Sequence, residues 1–182
     1  MILSRTFAFI SFSFFVSSIN AGEIGAKLIT QIELLPSCSI NDQVIEGNTE
    51  NLNFGNIDFG EVSSAFSGVL DASLINNGNA GFQIQCAGIS TVKIIFGAGN
   101  NDSNVPPSFS QNYHHALSNG TDFVAYNLLY GLNKQVIKSN EIFVLNDVNI
   151  KKNIDIFGQA INDGSRISKG EYRDIVPITI EF

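Results

Sequence analysis

"GEYRDIVPITIEF" (residues 170–182) decides how this chain is read. Its even positions carry Tyr172, Asp174, Val176, Ile178, Ile180 and Phe182, and its odd positions carry Arg173, Ile175, Pro177, Thr179 and Glu181. A two-residue period with one largely apolar face is the mark of a β-strand lying half-buried on a core. A strand with such a face needs a neighbour along its edge, because an uncovered edge is a template for aggregation. What covers this one is the question that the rest of the sequence answers.

Working back along the chain, strand candidates follow one another at short spacing: 52–60, 67–75, 81–87, 91–98, 122–130, 141–145, 154–161 and 172–182. Turn clusters rich in Gly, Asn, Ser and Pro separate them, among them "NNGNAG", "GNNDSNVPP" and "NDGSRISKG". No segment holds a helical period over three turns. The chain of 182 residues suits one domain with a real core, and the pattern reads as an all-β sandwich. The segment "NFGNIDFG" repeats itself briefly, Asn53-Phe54-Gly55 against Asp58-Phe59-Gly60.

The first residues read as an export signal. A basic start at residues 1–5 precedes the apolar run "TFAFISFSFFV" at 6–16, which is too short to span a bilayer, and "SSINA" ends it in residues suited to cleavage. We therefore expect residues 1–21 to be removed, and no later stretch to insert in a membrane. The formal charge of −7 argues against nucleic acid, which needs clustered Lys and Arg. Cys38 and Cys86 are the only cysteines. In an oxidising compartment they are expected to form a disulfide, the alternative being free thiols or metal ligands.

Residues 22–38, "GEIGAKLITQIELLPSC", carry a second long amphipathic pattern. Ile24, Ala26, Leu28, Thr30, Ile32 and Leu34 share one parity, while Glu23, Gly25, Lys27, Ile29, Gln31 and Glu33 share the other. Either this is an ordinary first strand of its own sheet, or it leaves its domain and fills the sheet of a partner.

Catalytic and cofactor signals are missing. HExxH, GxSxG, the P-loop and a glycine-rich dinucleotide fingerprint do not occur, so no enzyme activity, cofactor or metal is expected. His114-His115 is the only histidine pair. Adjacent strand residues point to opposite faces and chelate poorly, so a solvated loop is expected there. The acidic residues form no alternating calcium loop.

In order, the chain reads "CSINDQVIEGNTENLNFGNIDFG" (38–60), "FQIQCAG" (82–88), "STVKIIFGAG" (90–99), "VAYNLLYG" (124–131) and "GEYRDIVPITIEF". This series resembles the spore coat protein U domain family, the subunits of archaic (Csu-type) chaperone–usher pili of Gram-negative bacteria, and most of all their main rod subunit. The likeness spans residues 22–182. It departs in the long stretch after Gly97, where family members often carry a shorter one with an Arg, and at Pro177, where a β-former is usual.

The resemblance implies an incomplete immunoglobulin-like β-sandwich (38–182) completed by a donor strand from a neighbouring subunit. Residues 22–37 would be the donor strand, presenting Ile24, Ala26, Leu28, Thr30, Ile32 and Leu34. Tyr172, Val176, Ile178, Ile180 and Phe182 would form the groove wall and the chaperone contact. The implied partners are a periplasmic chaperone, an outer-membrane usher and a homo-polymer of the same or related pilins. The implied place is the bacterial surface, serving attachment and biofilm formation. The alternative is a minor or tip subunit, or a secreted lectin-like binding module using Phe109, Tyr113 and His114.

Overall fold

A computed structural model describes residues 22–45, 47, 49 and 52–182; the expected signal at 1–21 lies outside them. Among the described residues the strands are β1 (Ser37–Ile40), β2 (Gln43–Ile45), β3 (Asn56–Ile57), β4 (Ser67–Asn76), β5 (Asn79–Ala80), β6 (Phe82–Ala87) and β7 (Thr91–Phe96). They continue as β8 (His115–Ser118), β9 (Phe123–Tyr130), β10 (Gln135–Ile137), β11 (Glu141–Asn146), β12 (Lys152–Ile154), β13 (Ile156–Asp163) and β14 (Ile178–Glu181). The helical content among these residues is one 3-10 turn at Asp102–Asn104.

Among the described residues three antiparallel sheets result. One runs β12-β6-β1-β2, one β11-β7-β14, and the largest β10-β9-β13-β4-β3, with β5 on β4 and β8 on β9. Alternation explains their faces. Phe82, Ile84 and Cys86 of β6 are buried, as are Val92, Ile94 and Phe96 of β7, while Gln83, Gln85, Thr91 and Lys93 turn outward. These inner residues pack with Val124, Tyr126 and Leu128 of β9 and with Ile156 and Ala160 of β13 into one core, which makes the fold an immunoglobulin-like β-sandwich.

Strand β9 departs from alternation, because its residues from Val124 to Leu129 are all buried. The long stretch after Gly97 lies over its second face. Asn127 accepts a hydrogen bond from the His114 N–H at 3.0 Å and donates to the Asn112 carbonyl at 2.8 Å. This corrects the expectation of a solvated histidine loop: His115 is fully buried and opens β8, whose pairing with β9 sets it opposite Tyr126.

Two expected strands are shorter than their patterns. In 52–60 only Asn56 and Ile57 join a ladder. The two echoing triplets are Asx turns instead: Asn53 Oδ1 accepts the Gly55 N–H at 2.9 Å, and Asp58 Oδ1 accepts the Gly60 N–H at 2.8 Å. Gly55 sits at φ +129°, where a Cβ would also strike the Ile75 carbonyl oxygen, so glycine is required there. Each turn carries a Phe toward the core, with Phe54 edge-on to Phe82 and Phe59 edge-on to Tyr126.

In 172–182 the ladder covers only Ile178–Glu181. The burial alternation nevertheless runs from Tyr172 to Ile180: Tyr172, Asp174, Val176, Ile178 and Ile180 are half-buried, the odd residues between them are exposed, and Phe182 at the end is exposed. Pro177, which has no N–H, stands just before β14 and uses its carbonyl to accept the Gly97 N–H at 2.8 Å.

The chain divides into two units at Glu33/Leu34, the sandwich lying in the second, Leu34–Phe182. The described part of the first, residues 22–33, forms no ladder, and residues 34–36 form none either. An amphipathic pattern becomes a strand only where backbone partners are supplied.

Candidate functional site

The sandwich unit carries a groove of about 2310 Å³. Its floor is the inner face of the large sheet, including Leu70, Leu74, Val124, Tyr126, Leu128 and Ala160. One rim is the C-terminal stretch, with Tyr172, Val176, Ile178, Ile180 and Phe182 all lining it. Cys38, Ile40 and Ile45, from the β1–β2 hairpin, also line it. The twin Asx turns contribute Phe54, Ile57 and Phe59.

Both strands beside the groove have an open edge. Among the described residues, strand β14 hydrogen-bonds to β7 alone, in the register Ile178↔Phe96 to Glu181↔Lys93, and β2 hydrogen-bonds to β1 alone. Open edges leave backbone N–H and C=O groups free to pair with an added strand. The groove therefore offers both what a strand needs: backbone partners along an edge and apolar space for alternate side chains.

The hairpin is fixed in place covalently. Cys38 and Cys86 face each other across the β1–β6 ladder and are joined by a disulfide, with Cα atoms 4.0 Å apart. The bond keeps β1 against β6, deep in the core.

Residues of the leading segment are not part of any ladder. Ile24, Leu28, Ile32 and Leu34 are between 82% and 94% exposed, and Ala26 and Thr30 are exposed too. Four large apolar side chains of one parity left in water represent unrealised burial of about 1.5–3 kcal/mol each.

At the head of the rim lies a polar cluster that the sequence did not announce. Asp174 Oδ2 accepts the Tyr126 hydroxyl at 2.7 Å, and its Oδ1 accepts the N–H and the Nδ2 of Asn101 at 3.2 and 3.0 Å. Asp102 Oδ1 pairs with His115 Nδ1 at 2.9 Å, while Oδ2 accepts the Gly99 N–H and the Ser139 hydroxyl. Burial first, and then the nearby Asp174 carboxylate, push the Tyr126 phenol far above its usual range, so it remains a donor.

Asp102, His115 and Asp174 have the residue types of a metal site, and their ligand atoms lie within 4.8 Å of one another. All four carboxylate oxygens already accept protein donors, whereas His115 Nε2 is buried with no hydrogen-bond partner among the described residues. One clue to it was present in the sequence: Asp174 shares the parity of an otherwise apolar face.

Fold and groove define a class: an all-β sandwich with an open strand edge along an apolar groove. Residues 25–179 match the family model for the Spore Coat Protein U domain, and the chain belongs to that family. No curated protein matches the chain. Among solved structures, it is similar to a chain in a complex described as the CsuC–CsuE chaperone–tip adhesion subunit pre-assembly complex from archaic chaperone–usher Csu pili of Acinetobacter baumannii. That match has 19% identity and a TM-score of 0.42, covering 81% of this chain and 40% of the other.

Proposed function

We propose that this chain is a structural subunit of an archaic chaperone–usher pilus, and that it polymerises by donor-strand complementation. Export removes residues 1–21. A periplasmic chaperone then lends a strand to the groove, and at the outer-membrane usher the leading segment of the next subunit replaces it. Repeated head to tail without ring closure, this exchange builds a filament at the cell surface for attachment and biofilm formation. The chain serves in the rod, because it carries a donor segment as well as a groove.

A single observation carries this reading. Among the described residues, the rim residues Ile178 and Ile180 lie along an edge with one neighbour, while Leu28, Ile32 and Leu34 stand in solvent with matching parity. An added strand would satisfy backbone groups along β14, and its alternate side chains would fill the groove. Membership of the Spore Coat Protein U domain family supports the same assignment.

The test is to append a second copy of residues 22–35 after Phe182 through a short turn. The extended chain is expected to be a monomer with a clearly raised thermal midpoint, whereas the unextended mature chain self-assembles. An unextended chain that is equally monomeric, with the same midpoint, overturns the proposal.

A further inference from the structure

The rim of the groove is weakly built. Strand β14 has four residues and one neighbour. The stretch that leads into it is tied down differently. Ser118 and Arg173 exchange backbone hydrogen bonds at 2.9 Å, and the Asn100 N–H donates to the Ile175 carbonyl at 3.2 Å. Between these two ties sits Asp174, the one acid on the inward face of the stretch. A carboxylate on a half-buried face is costly unless donors meet it, and here Tyr126 and Asn101 do.

Tyr126 is itself a floor residue of the groove, 5% exposed, centred in β9 and paired with Ala160 of β13. Its hydroxyl thus ties the floor to the head of the rim. The neighbouring Asp102–His115 pair backs this tie: the His115 ring lies 5.2 Å from the Tyr126 ring, centre to centre, and limits how that ring can turn. Asp102 and Asn101 come from the long stretch after Gly97, so that stretch holds the rim as well as covering β9.

We propose that Asp174 is a positioning residue for the groove: bonded to Tyr126, it latches the head of the C-terminal rim to the floor and so sets the opening that an incoming strand meets. The latch itself follows from the contacts within this chain, whereas its effect on an incoming strand rests on the function proposed above. An added strand must lie about 4.8 Å from β14 to form a ladder, so a rim free to swing would lose register with it.

The experiment compares the exported chain with Tyr126→Phe, Asp174→Asn and the double variant. A fourth variant, Ile137→Val, trims the core in β10 at a residue that does not line the groove. Amide exchange is followed along the chain, alongside the thermal midpoint. Each latch variant is expected to speed exchange of residues 175–182 by about tenfold or more, the scale of one hydrogen bond to a charged group. The double variant should cost less than the two single ones summed, because both weaken the Tyr126–Asp174 bond, while the Asn101 contacts belong to Asp174 alone. Ile137→Val should lower the midpoint without singling out the rim.

A synthetic peptide of residues 22–35 supplies the second readout: its dissociation should speed up in the latch variants by a similar factor. Unchanged exchange at 175–182, or a uniform rise that merely follows the midpoint as in Ile137→Val, overturns the latch. If exchange changes as expected but no variant or parent chain takes up the peptide, the latch stands and the donor-strand reading falls. Should Asp174→Asn fail to fold, Tyr126→Phe, which keeps the ring and its packing, decides alone.

Discussion

Phe59 occupies the space that a side chain on Gly158 would need. A Cβ on Gly158 would come within 2.7 Å of Phe59 Cζ and within 2.7 Å of Ile57 Cγ2. Strand β13 thus leaves a bare place on its inner face, and the second Asx turn fills it. Gly158→Ala is expected to destabilise the sandwich by about 1–3 kcal/mol through overpacking. Adding Phe59→Ala to Gly158→Ala should cost less than Phe59→Ala costs alone, because the new methyl partly fills the vacated space. Urea midpoints of the four chains give this coupling, and strictly additive losses would refute the contact.

That contact also shows where sequence reading stops. Strands β4, β6, β7, β9, β11 and β13 were legible because each holds a two-residue alternation or a long apolar run. The short strands β1, β2, β5, β8, β10 and β12 were not, since two to four residues carry no period. Segment 52–60 looked like a strand because Leu52, Phe54 and the residues around them alternate. Its asparagine and aspartate side chains capture the following glycine N–H groups, which competes with a ladder. The inward face was read correctly from Tyr172 to Ile180, including Asp174, whereas Phe182 is exposed. What Asp174 bonds to depends on Asn101 and Tyr126, 73 and 48 residues away, and no local pattern encodes that.

The disulfide separates residues 48 positions apart, and closing such a loop stabilises the fold by about 4 kcal/mol on the chain-entropy model. Cys38→Ser with Cys86→Ser is expected to lose most of that stability. The loss should concentrate at β1, which carries Ile40 into the core beside the groove. Urea unfolding of the variant against the oxidised parent measures it; an unchanged midpoint would mean that the β1–β6 ladder holds β1 unaided.

Acid should loosen the stretch before the rim. The Ser168 hydroxyl and N–H hold the Asp122 carboxyl below the usual carboxylate range, and Ser165 does the same for Asp163. A lowered folded pKa means that the unfolded chain binds protons more readily. The stabilising effect is therefore complete above the ordinary value of about 3.9 and is lost as pH falls through the lower folded value. Between about pH 4 and pH 2 the urea midpoint should fall, and Asp122→Asn should flatten that fall. Equal slopes for parent and variant would remove Asp122 from the account.

The parity of the leading segment yields the sharpest test of the proposed assembly. Leu28, Ile29 and Ile32 are all exposed, so none of them contributes burial that the solitary chain could lose. Leu28→Asp and Ile32→Asp should accordingly leave the thermal midpoint of the sandwich nearly unchanged. In a donor strand, though, Leu28 and Ile32 share the face that enters the groove, and Ile29 belongs to the opposite face. Forcing a carboxylate into an apolar groove forfeits about 1.5–3 kcal/mol of burial and adds a desolvation cost. Filament yield should therefore collapse for Leu28→Asp and Ile32→Asp and survive in Ile29→Asp, as counted by electron microscopy of assembled material. Equal loss in all three would show that hydrophobicity alone, without strand parity, drives association. Loss in Ile29→Asp alone would place the other face in the groove and shift the donor register by one residue.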